Sequence, residues 1–217
     1  MFDLPLFPLN TVLFPGMPLP LHIFEERYKR LIRDCLETHQ PFGVVLIRKG
    51  YEANGPLAEP HEIGCTARIV DIQPLSDGRI NIITLGENRF RIHSLHYELP
   101  YLVGKVELYP FLAEDSDSLT LLTRQLTSSV QLYIQILNEM GVLKPDGLNL
   151  ADDPVVLAYL AAVLLQVPVD QKQGFLGLER TSDLLKTLVQ AYRRELALLR
   201  AQLAHGRSED EAAVSLN

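Results

Sequence analysis

Ser182 and Lys186 have the residue types and the spacing of a serine–lysine catalytic pair. Residues four apart lie on the same side of a helix, where a lysine could take the proton of a serine hydroxyl. Such a nucleophile also needs a shielded site and an oxyanion hole, and the surrounding sequence indicates neither. We instead expect Ser182 to be a helix N-cap and Lys186 to be solvated. The sequence predicts no catalytic residues, and we expect that the protein is not an enzyme.

Metal and cofactor motifs are equally weak. His93 and His96 are the one close pair among six histidines, but a zinc site needs three or four converging ligands. Asp115 and Asp117 lack the turn glycine and the distant glutamate of a calcium loop, so helix capping explains them better. Phosphate-binding loops of the Walker and dinucleotide types do not occur in the sequence. We therefore predict neither a metal site nor a cofactor.

Five side chains remain as candidates for contact with a polypeptide: Met17, Phe24, Tyr28, Arg89 and Arg91. Met17 follows a turn glycine, and methionine suits adaptable binding surfaces. Phe24 and Tyr28 could line a groove, although packing on the core is the commoner role for an aromatic such as Phe24. Arg89 and Arg91 share one face of a predicted strand. They could meet a carboxylate or a peptide, or simply lie on the outside of the strand-rich region.

The charge and hydropathy of the chain exclude several classes of protein. A net charge of −7 argues against binding to nucleic-acid phosphates, which rests on clustered lysine and arginine. The longest apolar stretch, Val155 to Leu165, is too short to cross a bilayer. Asp3 and the nearby prolines do not fit a signal peptide, and Cys35 and Cys65 are spaced as reduced, buried thiols. We expect a cytoplasmic protein that binds neither nucleic acid nor membrane.

The first 24 residues are apolar, yet proline prevents them from forming a helix. They are also too apolar for a disordered tail. We predict an extended ribbon whose short strands lie at sheet edges or between bulges. The prolines that set this pattern are Pro5, Pro8, Pro15, Pro18 and Pro20.

Two different periodicities divide the rest of the chain. After a helix over residues 25–37, residues 42–110 alternate with a period of two and contain a turn at Ser76–Gly78, which predicts short antiparallel strands in a small, closed or nearly closed barrel. From residue 113 the period is 3.6, which predicts helices. The expected organisation is an α+β protein with a barrel subdomain at 1–112, a helical subdomain at 113–205 and a flexible tail at 206–217.

An ordered series of segments resembles the Lon protease N-terminal domain, the substrate-binding domain of that ATP-dependent protease. The segments are LPLFPLNTVLFPG and LPLHIFEERY near the start, DGRINIITLGENRFRI in the middle, and KQGFLGLERTSDLLKTLVQAYRREL near the end. The resemblance implies a PUA-like β-barrel followed by a helical bundle. It also implies recognition of unfolded or tagged polypeptide, linked to proteolysis or protein quality control, with a protease or chaperone as a further partner. We expect a free-standing domain, because no ATPase or protease motif is present.

Two other functions remain open at this stage. A PUA-like barrel can serve RNA binding, although the acidic charge counts against it. The apolar stripes of the helices predicted over 119–140 and 182–204 could alternatively mediate self-association as a scaffold or a weak homo-oligomer. Such stripes more often form the core of an intramolecular bundle.

Overall fold

The computed structural model describes residues 1–52, 55, 57–142 and 149–214, without side chains at 116–118 and beyond 203. It divides into two compact units. The first combines Met1–Phe111 with Gln166–Glu179, and the second combines Leu112–Leu165 with Arg180–Asn217.

Within the described residues, six strands and five helices follow one another along the chain. The strands are β1 (Phe2–Leu9), β2 (Pro18–Ile23), β3 (Phe42–Lys49), β4 (Glu59–Pro74), β5 (Ile80–His96) and β6 (Leu102–Leu108). The helices are α1 (Glu26–Thr38), α2 (Ser116–Glu139), α3 (Pro154–Leu164), α4 (Val169–Leu176) and α5 (Thr181–Val214). This content of helices and strands confirms the α+β class that the sequence predicted.

The six strands form one sheet that closes on itself. Their order is β2-β5-β4-β3-β1-β6, and β6 also pairs with β5. Five strands therefore make a closed barrel, and β2 is added at one side of the long strand β5. The predicted turn at Ser76–Gly78 joins β4 to β5, where the Gly78 N–H donates to the Leu75 carbonyl and Gly78 has a φ of +79°. One pairing, β1 with β3, is parallel; the antiparallel prediction concerned residues 42–110 and did not include β1.

The sequence predicted strands at sheet edges or between bulges for the opening ribbon. Strand β2 does lie at the edge, whereas β1 lies inside the sheet although it contains two prolines. Residues 2–6 pair with β6, and residues 6–9 pair with β3, so the two registers overlap only at Leu6. Pro5 thus has a neighbour on the β6 side alone, and Pro8 on the β3 side alone. Each proline therefore lies where no second neighbouring strand requires an N–H donor from it. This offset lets a proline-rich strand occupy a central position.

The first unit has two buried clusters. One fills the barrel around the fully buried ring of Phe90, which is approached closely by the backbone at Gly43 and Gly64. The other lies under α1, where the ring of Tyr28 stacks on Phe7 at 4.0 Å. Proline-rich β1 contributes to both, with Leu4 and Leu6 in the barrel and Phe7 and Leu9 under the helix. The opening ribbon is therefore part of the core.

The second unit is built from α2, α3 and α5. The ring of Tyr133 meets that of Tyr192 edge to face at 5.1 Å, and the Tyr192 hydroxyl donates to the Ala161 carbonyl at 2.8 Å. Asp153 caps α3 by accepting from two backbone N–H groups, with Pro154 in the first turn. The stripes of α2 and α5 are buried within this unit, as expected for an intramolecular bundle.

Two segments, 166–179 and the end of α5, differ from the subdomain boundaries that the sequence predicted. The segment 166–179 groups with the strands, because Arg89 on β5 donates to the carbonyls of Leu176 and Leu178, and the Gln173 side chain donates to the carbonyl of Ile63 on β4. Helix α5 continues to Val214, beyond the tail boundary at 206, in a stretch rich in helix-forming Glu and Ala. The last part of the expected tail, 215–217, lies outside the described residues.

Candidate functional site

The outward side of the sheet formed by β2, β5 and the far half of β4 is an exposed surface of the first unit. Directly opposed residues of antiparallel strands project to the same side. Three such rows cross this sheet: Pro18–Leu85–Arg68, Pro20–Ile83–Asp71 and His22–Asn81–Gln73. We call these nine residues the outer β2 face. Their neighbours on the other side, including Leu19, Ile23 and Ile82, belong to the core.

The outer β2 face is apolar at Pro18, Pro20, Ile83 and Leu85, and polar along β4 and in the row of His22 and Asn81. Pro18 and Pro20 are exposed, and Ile83 keeps 42% of its surface in contact with solvent. A shallow cavity of about 350 Å³ lies over Pro20 and Ile83, with Asp71, Gln73, Asn81 and His22 at its rim. An apolar floor with a few polar groups at its rim suits an apolar side chain of a bound segment.

One end of the face is fixed by a short polar network. The His22 Nδ1 atom lies 2.7 Å from the Asn81 Oδ1 atom. The Nε2 atom of the same ring lies 3.4 Å from the Arg79 guanidinium. The ring of Phe24 lies beside that of His22, with centroids 6.2 Å apart, and Phe24 is 48% exposed. Phe24 therefore extends the apolar surface beyond the end of β2.

A larger groove occurs in the second unit, with a volume of about 950 Å³. It lies between the exposed side of α2 and residues 149–152, and seven of its twelve lining residues have hydroxyl or amide side chains. All three lining hydroxyls, on Thr123, Thr127 and Ser128, already donate to carbonyls of the same helix. Size favours this groove, whose apolar lining residues are Ile134, Leu150 and Ala151. We take the outer β2 face as the candidate because its exposed prolines and Ile83 form one continuous apolar cluster.

Comparison with known proteins identifies the family. Residues 3–203 match the family model described as the ATP-dependent protease La (LON) substrate-binding domain. The chain belongs to this family. The resemblance read from the ordered segments is thus confirmed.

Similar proteins include the Lon protease of Anaeromyxobacter dehalogenans, 27% identical over 91% of this chain, and Lon protease 2 of Myxococcus xanthus, 28% identical over 91%. The chain spans about a quarter of the length of these curated relatives, 24% in each case. Among solved structures, a Lon N-terminal domain protein from Xanthomonas campestris is 28% identical, with a TM-score of 0.65 over 88% of this chain and 98% of that one. The N-terminal domain of a Mycobacterium avium complex Lon protease shares the fold, with the same TM-score at 16% identity.

The five residues expected to contact polypeptide are dispersed over this Lon substrate-binding domain. Phe24 adjoins the outer β2 face, and Met17 lies at the start of β2 but is partly buried against the core. Tyr28 is buried under Phe7, and burial raises the pKa of its hydroxyl to about 12. Arg89 is 4% exposed and donates to two backbone carbonyls. Arg91 lies 3.5 Å from the Glu179 carboxylate and stacks over Tyr109.

These positions correct part of the sequence-based set. Tyr28 and Arg89 are used inside the protein and present almost no surface to a ligand. Arg89 and Arg91 do meet a peptide backbone and a carboxylate, but these belong to the protein's own segment 166–179. Pro20, Ile83 and Asn81 were not among the candidates. The alternation of Pro18, Pro20, His22 and Phe24 with apolar residues is the signal that could have found the outward side of β2.

Ser182, Lys186 and His93 have structural partners, and the side chain of Asp117 lies outside the described residues. The Ser182 N–H donates to the Glu114 carboxylate at 2.9 Å, and the Lys186 ammonium lies 3.8 Å from Asp183. His93 Nε2 lies 3.0 Å from the Glu107 carboxylate. Across the part of the chain that the structure describes, no three histidine, cysteine or acidic side chains converge as metal ligands. Nor does any described helix combine the length and hydropathy that crossing a membrane requires.

Proposed function

We propose that this Lon substrate-binding domain recognises unfolded or tagged polypeptide on the outer β2 face. The observation that carries the proposal is the cluster of Pro18, Pro20 and Ile83, which are exposed on a well-packed sheet although their side chains are apolar. Exposed apolar patches rimmed by polar groups are typical of protein-interaction sites. The 48% exposure of Phe24 enlarges the same patch.

The expected affinity is modest. Full burial of one large apolar side chain contributes about 1.5–3 kcal/mol, and the face offers room for only a few such contacts. Ordering a flexible segment offsets part of that gain. Weak, broad recognition of this kind suits a domain that samples many polypeptides and passes them on.

We further propose that the domain acts by binding and not by catalysis, in the cytoplasm, in support of proteolysis or quality control with a protease or chaperone as partner. The matched family model is that of a substrate-binding domain, which supports a role in binding. The purified chain should neither hydrolyse ATP nor cleave casein. Activity that persists through stringent purification would contradict a purely binding role.

The central experiment compares binding of casein, an unfolded polypeptide, to two glutamate variants. Ile83→Glu places a charge in the middle of the outer β2 face, whereas Leu121→Glu alters a 65% exposed leucine on α2 in the second unit. We expect Ile83→Glu to weaken binding about tenfold and Leu121→Glu to leave it unchanged, because a buried unpaired charge is costly. Circular dichroism and thermal unfolding verify that both variants fold.

Two outcomes of this experiment oppose the proposal. Equal casein binding by wild type and Ile83→Glu would remove the outer β2 face as the site. Binding should also change little with salt, because apolar contact dominates. Tight, strongly salt-dependent binding to RNA, with no binding to casein, would favour the RNA-binding alternative.

A further inference from the structure

We propose that the outer β2 face holds a polypeptide through its side chains alone, without adding it to the sheet as an extra strand. The inference rests on the proposed function and concerns how the bound segment is recognised. It comes from the direction in which backbone groups point along the two free edges of this three-stranded sheet.

The hydrogen bonds of the β4–β5 hairpin fix these directions. The Leu75 N–H donates to the Arg79 carbonyl at 2.8 Å, so these opposed residues form a hydrogen-bonded pair. Such pairs alternate with non-bonded pairs along an antiparallel ladder. The pairs Gln73–Asn81 and Asp71–Ile83 are therefore bonded, whereas Ile72 and Pro74 direct their backbone groups away from β5.

The same alternation continues across β5 to β2. Because Asn81 and Ile83 direct their backbone groups to β4, Ile80, Ile82 and Thr84 direct theirs to β2, opposite Ile23, Leu21 and Leu19. The intervening residues of β2 then face outward: Pro18, Pro20 and His22. Proline has no N–H, so His22 supplies the single outward backbone donor of this strand.

The opposite edge of this sheet, along β4, is protected from strand addition in a similar way. Beyond Ala67, strand β4 pairs with β5 alone among the described residues, which leaves its other side free. The outward positions from 71 to 74 are Ile72 and Pro74, so one N–H remains there too. A register shift between Ile69 and Asp71 interrupts the edge further, and bulges and prolines are the usual protection against strand addition.

An added strand needs a regular series of donors and acceptors from its host, and neither edge offers one. The surface left for a partner is the outer β2 face itself. The domain should therefore accept polypeptides by the apolar side chains they carry, including segments that contain proline or lack backbone N–H groups. The edge prolines should equally prevent two copies of the domain from pairing through β2.

Backbone N-methylation of a bound peptide tests this directly. The probe is the tightest-binding ten-residue segment from a tiled array of casein peptides. It is prepared unmethylated, methylated at odd-numbered backbone nitrogens, and methylated at even-numbered ones. Successive N–H groups of an extended peptide point to opposite edges, so strand addition would be blocked in one series only, whereas side-chain binding would tolerate both.

We expect both methylated series to bind wild-type protein within about threefold of the unmethylated peptide. Loss of a two-bond ladder would instead weaken one series by about tenfold or more, and a loss beyond threefold in either series overturns the inference. Failure of every unmethylated casein peptide to bind would contradict the proposed function instead, so the two failures are distinguishable.

A proline replacement provides a second test. The double variant Pro18→Val, Pro20→Val restores two outward N–H groups while it keeps apolar side chains on the face. We expect it to self-associate in sedimentation velocity at concentrations where wild type stays unchanged. A folded double variant whose sedimentation matches that of wild type would show that the prolines do not prevent strand pairing at this edge.

Discussion

The Arg89 Nη1 atom lies 2.6 Å from the carbonyl oxygen of Leu178, and this contact joins β5 to a segment 89 residues further along the chain. The same nitrogen lies 2.8 Å from the Leu176 carbonyl. The guanidinium also stacks over the ring of Phe111, 3.7 Å from its centroid. A buried cation needs such partners. The pairing explains why a segment from the helical half of the sequence belongs to the strand-rich unit.

We expect Arg89→Met to destabilise the protein by about 2–4 kcal/mol, because it leaves two buried carbonyl oxygens without their charged donor. Urea denaturation measures the change. Arg91→Met is the matched control, since Arg91 makes a partly exposed ion pair with Glu179 at 3.5 Å, worth less than about 1 kcal/mol. Similar losses in the two variants would show that Arg89 does not have the structural role assigned to it.

Local patterns were enough to predict most of the fold. The helix expected at 25–37 occurs as α1 at Glu26–Thr38, and the alternating region forms the barrel. Both follow from a repeating burial pattern within one element. The parallel pairing of β1 with β3 and the placement of 166–179 depend on contacts between distant residues, such as Arg89 with Leu176. Periodicity carries no information about such contacts.

The candidate site was predicted less well for the same reason. Whether an aromatic or an arginine is buried depends on what packs over it, and Tyr28 and Arg89 have partners from other elements. Phe24 is exposed because it lies just beyond the last residue of β2. Ile83 could not be chosen from sequence, since its exposure depends on the register of β5 against β2 and β4.

A pair of glycine substitutions tests the packing of the barrel. A Cβ atom at Gly64 would lie 2.6 Å from both the Phe90 ring and the Val44 carbonyl, so Gly64→Ala should destabilise by about 1–3 kcal/mol. At Gly174 on α4 an added Cβ meets nothing within 4 Å. Gly174→Ala should therefore stabilise by about 0.5–1 kcal/mol through helix propensity. Thermal unfolding of the two variants should give midpoint shifts of opposite sign, and a neutral Gly64→Ala would contradict the close approach at Phe90.

Substitutions at Met17 and Phe24 should distinguish an effect on stability from an effect on binding. Met17 packs partly against the core under α1, so Met17→Asp should lower the free energy of unfolding by about 1–3 kcal/mol, because it places a charge against apolar groups. Phe24→Asp should change stability by less than about 0.5 kcal/mol, since half of that ring is exposed, but it should weaken casein binding. Chemical denaturation and a casein-binding assay measure both. A stable Met17→Asp variant with weak binding would instead place Met17 in the binding surface.

The two cysteines predict how stability depends on alkaline pH. Cys35 and Cys65 are free and buried, and burial raises the pKa of each thiol to about 12, from an ordinary value near 9. Between those values the unfolded chain loses thiol protons that the folded protein keeps. The unfolded state then binds fewer protons, so the free energy of unfolding should fall as the pH rises from about 9 to about 12. Below pH 9 both states hold the protons and the thiols contribute no slope.

Urea denaturation from pH 8 to pH 11 measures this dependence, and the Cys35→Ala, Cys65→Ala double variant provides the control. The variant should lose part of the alkaline slope, although burial also raises the pKa values of Tyr28, Tyr101, Tyr109 and Tyr192, which leaves some slope above pH 10. Native protein at pH 8 should also react with a thiol reagent only after denaturation, because the thiolate is the reactive form and burial suppresses it. Rapid modification of either thiol in native protein that still binds casein would contradict this expectation. It would mean that the cluster under α1 opens readily and that burial does not limit the reactivity of Cys35 and Cys65.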